Sequence, residues 1–182
     1  MEVGEPRLNK SKILRKGLDI LAEDGPGSIT AARISRELNV TTGSFYWHFK
    51  SIEGFRHELK AFWQDEIVLG LTNEVKARFE DPREVLKAIA EMVKQRKTYR
   101  YDMAMRNWAK TCPEAGKIVM SADNFRRDFI TEMLRKACES QQSAKDQVNL
   151  LGAAWQGTQK MDDQDYRFKL LGLVTKDSGA DE

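Results

Sequence analysis

Two cysteines, Cys112 and Cys138, are all that the chain contains, and no CxxC pair is among its motifs. That excludes a disulfide framework, and neither cysteine has basic neighbours clustered on both sides, so both read as bystanders and not as a redox switch. Histidine is equally scarce: His48 and His57 are the whole supply. No HExxH, Cys/His ligand set, phosphate-cradling glycine loop or nucleophile elbow accompanies them, so no catalytic residue, metal or cofactor is expected and the chain does not read as an enzyme. Asp162-Asp163-Gln164-Asp165 has the acidity of a calcium loop but lacks its glycine and closing glutamate, and suits the start of a final helix better. Long apolar runs are missing too. Nothing reaches the ~18 residues of a membrane span, and MEVGEPRLNKSK lacks the apolar region of a secretion signal. The expectation is a cytoplasmic protein with no membrane partner.

Net charge is almost absent, at +2 over 182 residues, which excludes a polybasic nucleic-acid coat. The excess has an address, however. Residues 1–60 hold ten lysines and arginines against eight acids, whereas the remainder holds twenty of each. With 41% hydrophobic and 32% charged residues the chain can bury a real core beneath a well-solvated, helix-rich surface.

Apolar residues recur at helical spacing nearly throughout. A first helix runs from about Leu8 to Asp24 and stops at Gly25-Pro26-Gly27. Ser28 or Thr30 can cap a second, and a third spans about Thr41 to Trp47. Ser51 caps a long fourth, with Phe55, Leu59, Phe62, Trp63, Ile67, Leu71, Val75 and Phe79 in one continuous stripe. Asp81-Pro82 restarts the chain as N-cap and first helical residue. Further helices are expected at about 99–110, from Thr111-Cys112-Pro113-Glu114 to about Glu139, at about 144–159 and at about 164–173, with a break at 140–143 and a frayed tail. No strand alternation stands out, so the fold class is all-α.

Residues 30–50, TAARISRELNVTTGSFYWHFK, are the most informative stretch. Ile34 and Leu38 share one helical face. Asn39 tolerates a left-handed backbone and can end that helix, while Thr41 can cap the next and Val40 can pack into the angle. Two short helices joined so tightly form a helix-turn-helix, whose second helix enters the major groove of DNA.

At these residues the chain resembles the tetracycline-repressor (TetR) family of bacterial transcription regulators. The likeness rests on Ala22-Glu23-Asp24-Gly25, Ile34-Ser35, Leu38-Asn39-Val40-Thr41 and, most specifically, Gly43-Ser44-Phe45-Tyr46-Trp47-His48-Phe49. A weaker echo lies at Asn107-Trp108-Ala109-Lys110 through Pro113-Glu114. Two positions depart from the family pattern. Asn39 stands where glycine is usual, and Ile52 stands where a phosphate-binding lysine is common, with Lys50 close enough to substitute. The resemblance implies a homodimer whose N-terminal domains bind the two halves of a palindromic operator in double-stranded DNA. It implies DNA contacts from Thr30, Arg33, Thr41, Thr42, Gly43, Ser44, Tyr46, Trp47, His48 and Lys50. Among these, Thr42 and Ser44 offer hydroxyls to base edges, Gly43 lets the backbone approach, and Tyr46 and Lys50 meet phosphate. Thr41 caps the helix and offers its N–H to phosphate. Arg33 either reaches DNA or is a solvated surface arginine; His48 either touches DNA or caps the third helix. Phe45 and Phe49 are core.

The remaining chain is expected to dimerise and to sense a small hydrophobic effector. Trp63, Met92, Tyr99, Met105, Trp108, Met133 and Trp155 are the candidate pocket residues, with ordinary core as the alternative for each. Phe125, Phe129, Met133, Val148, Leu151 and Trp155 are the candidate dimer interface, a two-fold four-helix bundle, and a monomer using them internally is the alternative. The expected domains are 1–50 for DNA, 51–175 for effector and dimer, and 176–182 as a disordered tail. The function implied is a repressor released from its operator by the effector. The rival is a ligand-binding or interaction protein of the same fold that has lost DNA binding.

Overall fold

The computed structural model describes residues 8–137, which are helical without a strand among them. Five of the helices among the described residues open on a capping side chain. Asn9 accepts a hydrogen bond from the Lys12 N–H at 2.8 Å and opens α1 (Lys10–Asp24). Gly25, at φ 78°, ends it by donating its N–H to the Leu21 carbonyl. Of the two proposed caps for α2 (Ala31–Glu37), Thr30 serves: its hydroxyl accepts from Arg33 N–H, while Ser28 donates to the Asp24 carbonyl instead. Thr41 caps α3 (Thr42–His48) and Ser51 caps α4 (Ile52–Phe62). Asp81 and Pro82 start α6 (Pro82–Gln95) as expected. α7 (Tyr99–Ala109) and α8 (Pro113–Ala137) follow.

The long fourth helix is helical over its expected range but is not one uniform α-helix. After α4 the turn widens to π geometry over Trp63–Leu69 before α5 (Gly70–Arg78) resumes. The apolar row supplies a reason. Phe55, Leu59, Trp63, Ile67, Leu71 and Val75 repeat every four residues, and all are buried. In an α-helix four residues overshoot a turn by about 40°, so a strict four-residue row drifts off its face. A stretch with wider turns takes up that drift and keeps the row inward.

The described residues fall into two compact units. The first comprises residues 8–67 and 98–120: α1 to α4 with the following residues to 67, then α7 and the first turns of α8. α1 packs against α2, α4 and α7 here. Leu18, Ile20, Ile34, Phe45, Phe49, Phe55 and Leu59 are among its fully buried side chains. The second comprises residues 68–97 and 121–137, where α5 and α6 pair. Its core joins Leu71 and Val75 to Val85, Leu86 and Met92, and to Phe129, Met133 and Leu134 of α8. On its surface Arg96 forks onto both carboxylate oxygens of Glu74 at 2.7 Å. No helix among the described residues is long and apolar enough to cross a membrane. The helices expected at 144–159 and 164–173, the 140–143 break and the tail lie outside the described residues.

One glycine in the first unit marks a close approach. A Cβ at Gly17 would stand 2.5 Å from Phe55 Cζ and 3.2 Å from Leu59 Cδ1. Phe55 cannot easily give way, because its ring lies 5.3 Å from that of Phe45 and 4.9 Å from that of Phe49. Alanine would gain ~1 kcal/mol of helix propensity and meet an overpacking cost of ~1–3 kcal/mol. Gly17→Ala is therefore expected to lower the melting temperature. A rise would show that the ring has room to move.

Candidate DNA-binding site

The reading head is built around one residue of left-handed backbone. Asn39 sits at φ 53°, a conformation that its short amide side chain tolerates better than most. Its N–H bonds the Arg36 carbonyl at 3.2 Å, and the Val40 N–H bonds the Ser35 carbonyl at 2.9 Å. That pair of bonds is the Schellman closure of a helix end. Val40 is half-buried beside it, and Thr41 at once caps α3: its Oγ1 accepts from Ser44 N–H at 3.1 Å and lies 3.0 Å from Ser44 Oγ.

α3 then divides its side chains by spacing. Phe45 and Phe49, four apart, are buried and pack with Phe55 of α4. Thr42, Gly43, Tyr46, Trp47 and Lys50 are exposed. Trp47 is 82% exposed, so its indole contributes little to the protomer's core. Tyr46, 49% exposed, leans edge-on against Phe45, which braces its ring. His48 is half-buried, 4.7 Å from the Trp47 ring and perpendicular to it. Gly43 has an ordinary backbone, and a Cβ there would meet only Thr41 Oγ1, at 3.6 Å. The fold does not require that glycine; what it leaves is bare backbone on the exposed side.

Three expected contacts sit differently from their neighbours. Ser44 is half-buried, and its hydroxyl is shared with the Thr41 cap. Thr30, although exposed, spends its hydroxyl on capping α2. Arg33 is held by two carboxylates: Nε donates to Glu37 at 3.1 Å and Nη2 to Asp24 at 2.5 Å. Those bonds, Asp24's first, raise its pKa above the ordinary value. Arg36, not among the expected contacts, is exposed one turn beyond Ala32, on the solvent side of α2. The i, i+4 spacing from Ala32 was the available signal. Ile52, in place of the family's lysine, is half-buried at the start of α4.

The candidate effector residues divide between the units. Trp63, Met105 and Trp108 are buried in the first, where Tyr99 is half-buried; Met92 and Met133 belong to the core of the second. Of the dimer candidates, Phe129 and Met133 are buried within the protomer's own second unit. Phe125 is half-buried and stacks on Phe129 with ring centroids 6.4 Å apart. Val148, Leu151 and Trp155 lie outside the described residues.

Residues 13–59 match the family described as bacterial regulatory proteins, tetR family. No curated protein matches the chain. Several solved structures share its fold. A transcriptional regulator from Rhodococcus sp. Rha1 aligns with a TM-score of 0.65 at 18% identity, covering 92% of this chain and 94% of its own. A TetR-family regulator from Agrobacterium tumefaciens gives 0.64 at 16% identity, with 90% and 94% covered. A regulator from Saccharomonospora viridis, solved in complex with choline, gives 0.63 at 15% identity, with 92% and 95% covered. At such identities the likeness is one of fold.

Proposed function

We propose that this chain, which carries at residues 13–59 the domain of the tetR family of bacterial regulatory proteins, is a homodimeric cytoplasmic repressor that binds a palindromic operator and is released by a small molecule. DNA-binding regulation is what the family domain implies. The observation that supports DNA contact is the division along α3, with Phe45 and Phe49 anchoring it while Thr42, Gly43, Tyr46, Trp47 and Lys50 are exposed.

Each exposed group has a role that suits its chemistry. Lys50 and the Tyr46 hydroxyl would hold phosphate, which sets affinity and register. Thr42 and Trp47 would meet base edges, where a methyl or an indole can pack on thymine's methyl group. The bare backbone at Gly43 would let the helix sit close. Two such heads on one dimer must reach successive major grooves about 34 Å apart, so any ligand favouring a form with different spacing would weaken binding. The choline held by the Saccharomonospora viridis protein supports a small-molecule effector, although the aromatic and thioether residues of this chain suit a more hydrophobic one. Phe125 and the segment containing Val148, Leu151 and Trp155 are the proposed dimer contacts.

Selection of bound duplexes from a random DNA library tests this directly. An enriched palindrome is expected with the wild-type protein, with affinity at least about tenfold lower for Tyr46→Ala at equal melting temperature. Absence of enrichment with folded protein would overturn the proposal and favour the ligand-binding rival.

A further inference from the structure

We propose that Arg33 is a positioning residue, a strut that sets α2 against α1 and thereby the pose of α3, and not a contact to DNA. This deepens the DNA-binding reading and rests on it. Four charged side chains alternate along the junction of the two helices. Lys16 of α1 lies 3.7 Å from Glu37 of α2, Glu37 accepts from Arg33, and Arg33 reaches back to Asp24, the last residue of α1. The row is neutral, two cations on two carboxylates, and it spans Gly25-Pro26-Gly27, the turn that joins the two helices.

Arg33 is engaged from both sides at its own end. Its backbone N–H is taken by the Thr30 cap and its guanidinium by acids on both sides, and the side chain is only 24% exposed. Turning these two donors to a phosphate would mean releasing both carboxylates. Guanidinium suits the strut because one planar fork serves two acceptors in fixed directions, which an ammonium cannot do. The consequence passes along α2. Ser35, buried two residues further on, supplies the carbonyl that the Val40 N–H caps, and Val40 leads directly into the Thr41 cap of α3. A tilt of α2 therefore becomes a tilt of the reading helix.

The test uses the full chain, Arg33→Ala, Arg33→Lys and Asp24→Asn. Binding to the duplex enriched from the library is measured over a range of KCl concentrations, and amide exchange over residues 25–48 is measured without DNA. The strut predicts that Arg33→Ala and Asp24→Asn both weaken binding, by about two- to five-fold, the range of exposed ion pairs. Asp24→Asn would do so despite removing a negative charge near DNA. The slope of log affinity against log salt stays unchanged, because no phosphate contact is lost. Exchange in residues 31–41 quickens in both variants, and Arg33→Lys restores little of either property. The proposal is overturned if Arg33→Ala lowers the salt slope by about one, if Asp24→Asn tightens binding, or if exchange is unaltered. Because exchange is read without DNA, failure to find any duplex would count against the DNA-binding reading, and exchange alone would still decide the strut.

Discussion

Phe45→Ala is expected to cost about 3–5 kcal/mol, the range for removing a buried phenyl ring. Phe45 is 1% exposed, and its ring lies 5.4 Å from that of Phe49 and 5.3 Å from that of Phe55, so truncation empties the centre of a three-ring cluster. Aromatic pairing contributes about 0.5–1.5 kcal/mol beyond area, and that is lost as well. Against a total stability of about 5–15 kcal/mol, the variant should melt far lower and be partly unfolded at 37 °C. DNA binding should fall with it, since α3 is only seven residues long and this ring is the side chain in it that is buried. Phe45→Leu is the control, retaining most of the volume and most of the stability. Chemical denaturation followed by circular dichroism measures both. A loss below ~1 kcal/mol for Phe45→Ala would mean that the neighbouring rings collapse into the space.

The second large effect is an asymmetry between two partners of one ion pair. Lys60 is 4% exposed, its ammonium 2.5 Å from Glu114 Oε2 and 4.9 Å above the Trp108 ring. His57 Nδ1 lies 2.5 Å from the other oxygen of Glu114. Removing the acid strands a buried cation with only an indole face for compensation. Glu114→Ala should therefore cost about 2 kcal/mol, below the ~3–5 kcal/mol of a fully buried pair because Glu114 itself stays 44% exposed. Lys60→Met removes the buried charge and keeps the stem's volume, so it should cost under ~1 kcal/mol, and the double variant should resemble it. The hydrogen bond from Lys60, and to a lesser degree that from His57, holds the Glu114 carboxyl below its ordinary 4.5. A carboxylate depressed in the folded state stabilises it above the unfolded value, and that stability is lost as pH falls through the folded one. The wild-type advantage over Glu114→Ala should thus be full at pH 7 and shrink on acidification below 4.5. Thermal melts across pH measure this, and equal losses for the two single variants would show that the ammonium does not depend on the acid.

What could be read from the chain beforehand was local. Asn39, Thr41, Ser51 and Asp81-Pro82 announce helix ends because capping chemistry acts within three or four residues, and each is used as expected. The outward set of α3 followed from the same spacing that buries Phe45 and Phe49. Contacts between distant residues were not legible. Glu37, four residues on, is a partner for Arg33 that helical spacing allows, but Asp24 lies nine positions back, across a turn whose path the sequence does not specify. Lys60 and Glu114 are 54 residues apart and meet only once α4 and α8 have packed. Nor did any local pattern show that α7 would join the N-terminal helices through α1, where the Tyr101 hydroxyl donates to Asp19 at 2.7 Å and Arg100 pairs with the same carboxylate. The π stretch was half legible: the four-residue apolar repeat was visible, but its mismatch with 3.6 residues per turn went unused.

The segregation within α3 bears on how such a protein can diverge. Stability is vested in Phe45 and Phe49, with Tyr46 leaning on Phe45, while Thr42, Gly43 and Trp47 are turned away from the core. Changes at Thr42 and Trp47 therefore carry little folding penalty, and if this face reads DNA as proposed, a lineage can exchange one preference for another through single substitutions, every intermediate remaining folded.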